Sequence, residues 1–182
     1  MSDPAEPTFA TVWDFCETPI GRLTLELGPR GVRAIHFPRR GFALEPHRRD
    51  RDALEPVRAH LDSYFDGRRE DFDLELDLSG RGDELSQAVW GELRKIPYGE
   101  TISYGEIGKA VRHSDPRDIG TCVGSTPIPI VIPCHRVIGA DGALRGYGGG
   151  LPRKQHLLRL EHETSGKPGL PAWVQVEQLT LA

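Results

Sequence analysis

The sequence predicts an α+β protein in two parts, a strand-rich first part carrying one helix and a mostly helical second part. Three observations predict it. Turn-forming sequences divide the first 37 residues into three β-rich runs. From Asp83 onward the apolar spacing becomes helical. Fifteen Pro and 21 Gly in 182 residues exclude a bundle of long unbroken helices. The expected divisions are residues 1–80, 81–163 and a tail, 164–182, without clear periodicity.

Phe9 to Cys16 and Ile20 to Leu27 are β-rich and joined by Thr18-Pro19-Ile20-Gly21. Gly28-Pro29-Arg30-Gly31 turns the second run into Val32 to Phe37, giving a three-stranded meander. After a loop over 39–50, residues 51–66 place Leu54, Val57, Leu61, Tyr64 and Phe65 on one helical face. Phe72, Leu74, Leu76 and Leu78 alternate with Asp73, Glu75 and Asp77, the pattern of a half-buried strand. Ser79 to Asp83 is an expected linker, and His47 and His60 are expected at the surface or an edge.

Asp83 caps a helix carrying Leu85, Ala88, Val89 and Leu93, which Pro97 stops. Ser103 with Glu106 three positions later forms a capping box that opens a helix over 104–112. Asp115 and Pro116 are the N-cap and first position of a helix over 116–123. Two short helices separated by His113-Ser114 are compatible with a helix-turn-helix, although from these residues alone an ordinary helical hairpin is the favoured reading. The apolar run Ile128 to Ile132 leads into Pro133-Cys134-His135-Arg136, and a last helix starts at Pro152 with Leu157, Leu158 and Leu160.

Hydrophobic residues make up 37% and charged residues 27%, the composition of a soluble globular protein. Residues 1–80 hold 11 basic and 16 acidic side chains, whereas 81–160 hold 11 and 8, so the second part is where a polyanion would dock. No apolar stretch is long enough to cross a bilayer, and the first ten residues lack the basic start and apolar run of a secretion signal. A cytoplasmic protein is therefore expected. The cysteines are Cys16, Cys122 and Cys134, an odd number without a CxxC pair, which argues for a reducing compartment and against a zinc finger. A chain of this length buries roughly two-thirds of its surface without disulfides. Cys16 falls in an apolar strand pattern and is read as a small buried hydrophobe, while Cys122 is left open.

Cys134 stands apart because its neighbours are chemical. An adjacent imidazole or cation lowers a thiol pKa from about 8.5 towards neutrality, and the thiolate is the nucleophile. His135 is the candidate base; adjacent side chains seldom bond directly, so a water between the two is expected. A carboxylate from elsewhere in the chain is needed to hold the second ring nitrogen.

Taken together, Leu85 to Trp90, Ile96 to Thr101, Ser103 to Ile107, Pro127 to Gly139 and Gly146 to Leu151, followed by Lys154 and Leu157-Leu158, closely resemble one family. These are the methylated-DNA–protein-cysteine methyltransferases, the 6-O-alkylguanine-DNA repair proteins. The strong resemblance covers about 83–161, and Thr18 to Gly21 with Leu23 to Leu25 resemble the family's small RNase H-like α/β domain less specifically. The resemblance implies that Cys134 accepts the alkyl group in a single irreversible displacement, with His135 as base through water and Glu161 as its orienter. Tyr104 would protonate the guanine ring, because neutral guanine leaves better than its anion. Arg117 would fill the gap left when the lesion nucleotide flips out, which the chemistry requires. Tyr147 would wall the pocket, and Ser103, Arg136, Tyr104 and Tyr147 would join Arg117 in contacting DNA. The implied partner is double-stranded DNA containing alkylated guanine. No cofactor, metal or membrane is implied, and a monomer is expected.

Three features depart from the family pattern. Its second recognition helix is alanine-rich so as to lie close in the minor groove, whereas this chain has Asp118, Thr121 and Cys122 there. Thr126 stands where the family usually has Asn, whose side-chain turn bond ties down the active-site loop. The zinc ligands of some relatives have no match. Two alternatives stay open: a lesion sensor that flips damaged guanine and recruits other repair, which retention of Cys134 disfavours, and a thiol hydrolase using Cys134 and His135, for which no oxyanion-hole donor set is identifiable.

Overall fold

The three predicted strands form an antiparallel sheet in the order β1 (Val12–Cys16), β2 (Leu23–Gly28) and β3 (Gly31–His36). They belong to a computed structural model that describes residues 11–38, 48–68 and 71–166. Expectations for Phe9 and Ala10, for 39–47 with His47, and for the tail beyond 166 lie outside the described residues. The β1–β2 turn is closed by Gly21 N–H donating to Thr18 O (2.9 Å) and by the Thr18 hydroxyl donating to Gly21 O (2.6 Å).

The stretch 72–78 differs from the expected strand. Among the described residues it pairs with the sheet through a single isolated bridge, where Val32 N donates to Glu75 O (2.8 Å) and Asp77 N to Val32 O (2.9 Å). The alternation breaks at Asp77, which is 3% exposed because Arg33 (3.0 Å) and the Ser79 amide (3.2 Å) bind its carboxylate inside the fold. The close approach requires Gly31: its φ is +130°, and a Cβ there would stand 2.2 Å from Glu75 O.

Helix α1 (Glu55–Phe65) buries Val57, Leu61 and Tyr64, with Leu54 at its cap, on the predicted face. Arg58 is buried too and pairs with the buried Asp14 of β1. His60 is half-buried and bonds the Pro56 carbonyl through Nδ1 (2.8 Å). Asp83 caps α2 (Glu84–Leu93) by accepting from Ser86 N (2.8 Å). The buried face of α2 is Ser86, Val89, Trp90 and Leu93; Ala88 faces outward, and the Trp90 indole donates to Cys122 O (2.9 Å).

The capping box of Ser103 and Glu106 opens α3 (Tyr104–Ala110) as predicted, but the helix ends two residues early, at Ala110, ahead of a left-handed Arg112 (φ 56°). Asp115 caps α4 (Pro116–Gly124) through Arg117 N (2.8 Å), so α3 and α4 make the helix-turn-helix pair. Ile102–Ser103 (β4) runs parallel to Val137–Ile138 (β5), a two-residue pairing that holds the start of α3 beside the segment after Cys134. Helix α5 (Leu151–Thr164) closes the described chain. One contiguous core joins Leu25, Ile35, Leu61 and Tyr64 to Trp90, Ile132 and Leu157, so both parts of the chain pack into it.

Candidate active site

Cys134 is placed by a tight buried turn. Ile128, Ile130 and Ile132 are buried, Ile132 N donates to Ile128 O (2.9 Å), and Cys134 N donates to Ile132 O (2.7 Å). Ile130 takes a φ of 76°, a left-handed conformation costly for a β-branched residue, which the surrounding packing imposes. Pro133 then opens the short 3-10 turn Cys134–Arg136. Thr126 ties the segment before it to the end of α4, its hydroxyl donating to Val123 O (2.8 Å). Thr thus makes a side-chain turn bond at the position where Asn is the family's usual residue.

The Cys134 side chain is 5% exposed and borders a cavity of about 280 Å³. Val123, Thr126, Pro129 and Tyr147 line it from the second part of the chain, Ile35 and Phe37 from the first. The Phe37 ring meets Tyr147 edge-on at 5.4 Å and lies so close to Gly149 that a Cβ there would be 2.9 Å from it. A larger, more open cleft of about 520 Å³ shares Gly124, Gly146, Tyr147 and Gly148 with this cavity. Tyr104, Pro116, Gly120 and Arg145 wall the cleft beside α4, and the four shared residues border both it and the cavity at Cys134.

The resting thiol differs from the sequence expectation. Burial pushes its pKa up to about 11, against the opposing Thr126 hydroxyl and Lys154 ammonium, so it is protonated at neutral pH. Proximity to His135 alone does not make a thiolate, and the proton has to leave during the reaction.

His135 is fully buried, with Nε2 2.7 Å from Glu161 Oε1. A carboxylate only accepts, so Nε2 carries the hydrogen and Nδ1 holds the lone pair. Nδ1 is buried and has no hydrogen-bond partner among the described residues. Burial holds the imidazole below its ordinary pKa although Glu161 pulls the other way, so the ring is neutral. No direct Cys134–His135 side-chain hydrogen bond is made among the described residues.

Glu161 is 0% exposed, and its pKa falls to about 2: burial raises it, but His135 and Arg136 outweigh burial. The donors on Oε1 are His135, the Tyr64 hydroxyl (2.7 Å) and Arg136 Nη2 (2.9 Å); those on Oε2 are Arg136 Nε (2.8 Å) and Gly99 N (3.2 Å). Arg136 is therefore a correction. Expected to contact DNA, it is 5% exposed, pairs with Glu161, donates to Ile96 O (2.6 Å) and stacks over Tyr98. Its guanidinium is consumed in neutralising a buried carboxylate.

Tyr104 is half-buried; burial and nearby Cys134 raise its pKa against Arg145, so it keeps a proton to give. Lys154 donates to Val137 O (2.6 Å) and Arg145 O (3.2 Å), and its ammonium lies 5.9 Å from the Tyr104 ring centre. Burial lowers the Lys154 pKa to about 8. The Tyr147 hydroxyl is buried without a partner among the described residues. The Ser103 hydroxyl is engaged in the capping box with Glu106 (2.6 Å).

Arg117 is exposed in the first turn of α4. Asp118 beside it is paired with His113 (2.8 Å) across the helix-turn-helix turn. Thr121 is exposed and bonds Arg117 O (3.0 Å), whereas Cys122 faces the core and accepts from the Ser86 hydroxyl (3.5 Å). Gly120 and Gly124 have open space where a Cβ would stand, so α4 presents bare backbone on its outer side. Among the described residues no cluster of three His, Cys, Asp or Glu is arranged to hold a metal. Sequence reasoning missed Tyr64 and Gly99, for which no local motif points to Glu161.

Residues 84–163 match the family described as 6-O-methylguanine DNA methyltransferase, DNA binding domain, and residues 11–78 match its ribonuclease-like domain. The chain is 46% identical over 156 residues to a methylated-DNA–protein-cysteine methyltransferase of Mycolicibacterium paratuberculosis, covering 82% of this chain and 91% of the relative. A protein of the same name from Haemophilus influenzae is 39% identical over 158 residues, covering 84% and 87%. Among solved structures, Mycobacterium tuberculosis OGT in complex with DNA superposes with a TM-score of 0.75 at 41% identity, covering 84% of this chain and 93% of that one.

Proposed function

The chain belongs to the methylated-DNA–protein-cysteine methyltransferase family, and from that premise we propose that Cys134 repairs 6-O-alkylguanine in duplex DNA by taking the alkyl group onto its own sulfur. DNA is the partner, and DNA repair by alkyl transfer is the activity.

The observation that carries the assignment is the line from cavity to carboxylate: Cys134 on the cavity wall, His135 behind it with Nδ1 free, and Glu161 holding Nε2. The lesion nucleotide flips out of the duplex past α4, with Arg117 entering the gap it leaves. Its guanine enters the cleft beside Tyr104 and its alkyl carbon reaches Cys134. The Cys134 proton passes through water to His135 Nδ1 as the sulfur attacks. A sulfur–carbon bond forms, the carbon–oxygen bond breaks, and the electron pair goes to the guanine. Tyr104 gives the departing ring a proton, which the His135 side returns through solvent. The thioether is stable, so each molecule acts once. Tyr147 and the Gly146–Gly150 loop wall the alkyl group, and Ser103 serves at the start of α3, where the DNA backbone passes.

The protein is read as a cytoplasmic monomer with divisions at 1–80, 81–163 and 164–182. Among the described residues no helix is long and apolar enough to cross a membrane. Cys134→Ser tests the assignment: transfer from a 6-O-methylguanine duplex is expected to vanish while lesion binding persists within about twofold. Residual transfer in that variant would remove Cys134 from the mechanism.

A further inference from the structure

Glu161 binds more donors than holding His135 requires. Three meet on Oε1: His135 Nε2 at 2.7 Å, the Tyr64 hydroxyl at 2.7 Å and Arg136 Nη2 at 2.9 Å. One carboxylate oxygen offers about two lone-pair sites, so the three compete for the same charge. Arg136 neutralises the carboxylate and His135 is the base it serves. Tyr64 comes from α1 in the first part of the chain, 97 residues before Glu161, and is fully buried. A buried tyrosine needs some acceptor, but any carbonyl would satisfy it. Here it takes the oxygen that governs the catalytic imidazole.

Resting on the alkyl-transfer reading above, we propose that Tyr64 is a positioning residue of the reaction: by sharing Glu161 Oε1 with His135, its hydroxyl keeps the imidazole neutral and able to accept the thiol proton. Glu161 acts on His135 in two opposed ways. It fixes the Nε2–H tautomer, which leaves Nδ1 as the acceptor facing the relay. Its charge also favours imidazolium, a form that cannot take the proton. Each further donor on Oε1 draws charge out of that oxygen and weakens the second effect while leaving the first in place. Other groups packed around the imidazole act alongside. Arg136 on the same 3-10 turn and Lys154 on α5 both disfavour imidazolium, helping Tyr64 against Glu161. Cys134 and Tyr147 from the glycine-rich loop stay neutral at working pH. Tyr64 is the contribution from the sheet-bearing part of the chain, so that part takes a share in the chemistry as well as in the core.

The test replaces Tyr64 by Phe and follows two readouts. His135 is titrated by NMR, its signal assigned by its loss in His135→Gln, and single-turnover transfer from a 6-O-methylguanine duplex is measured from pH 5 to 8. Tyr64→Phe is expected to move the His135 midpoint up by about half a pH unit or more, the scale set by part of one hydrogen bond to a charged group. The acid limb of the transfer profile moves with it, about threefold less transfer below both midpoints, while the alkaline plateau stays within twofold. Placing 3-fluorotyrosine at position 64 keeps the shape but makes the phenol a stronger donor, and the midpoint should then move down. That variant carries the test alone if Tyr64→Phe does not fold. A purely structural Tyr64 would lower the melting temperature and leave the His135 midpoint and acid limb where they were, which would overturn the proposal. So would shifts of the same sign in both variants. A wild-type protein that transfers nothing would refute the alkyl-transfer reading and this role in it; the NMR midpoints would still distinguish that failure from an absence of coupling between Tyr64 and His135.

Discussion

Replacing Glu161 by Gln takes one negative charge out of a site from which water is excluded, and the cost can be worked from its surroundings. With its pKa at about 2, against the ordinary 4.5, the carboxyl links its ionisation to roughly 3 kcal/mol of folding free energy. Full burial leaves no solvent screening to discount. An independent route gives a similar figure, because removing one partner of a buried ion pair strands the other, here Arg136, at about 3–5 kcal/mol. The sign follows from the depressed value. The stabilisation is fully present above the unfolded-state value near 4.5 and is lost as pH falls towards 2. In urea unfolding at pH 7, Glu161→Gln should be less stable by roughly 3 kcal/mol, a melting shift of about 10 °C for a chain of this size. By pH 3 the difference between wild type and variant should shrink to less than half. A variant within about 1 kcal/mol of wild type at pH 7, or a difference independent of pH, would refute this account of the carboxylate.

Two further outcomes follow from the site. Arg117→Ala is expected to slow transfer from duplex DNA about tenfold or more while changing transfer from the free modified base less than twofold; equal losses on both, read as single-turnover rates, would exclude the role in flipping. A thiol pKa of about 11 makes Cys134 slow towards iodoacetamide, its rate rising about tenfold per pH unit from 7 to 9; a plateau below pH 8, read by peptide mass spectrometry, would mean a preformed thiolate.

Much of this was legible in local sequence. The starts of α2, α3 and α4 sit on side-chain signals that work over two or three residues, as Asp83, Ser103 and Asp115 demonstrate. The meander was visible because its turns carry Gly and Pro. Pro133 to Arg136 singled out Cys134 and His135, and the family resemblance singled out Glu161, which meets His135 at 2.7 Å. What was not legible depends on partners distant in sequence. Asp77 looked outward-facing until Arg33 and the Ser79 amide met it. Arg136 was placed among the DNA contacts with the family resemblance, yet Glu161, 25 residues later, draws it inward. The thiol was expected to be acidic from its neighbours, but a neighbour in sequence says nothing of burial, which is the larger effect here. Tyr64 carried only the signature of a core helix face, and its hydroxyl found its acceptor through tertiary packing alone.

The most direct measurement of the central claim is mass spectrometry of the intact protein and of the peptide holding Cys134, after mixing with a duplex that contains one 6-O-methylguanine. One added methyl group on Cys134, in one-to-one proportion to repaired duplex and with no further turnover, is the predicted result. Repaired duplex with an unmodified Cys134, or a methyl group on any other residue, would contradict the account.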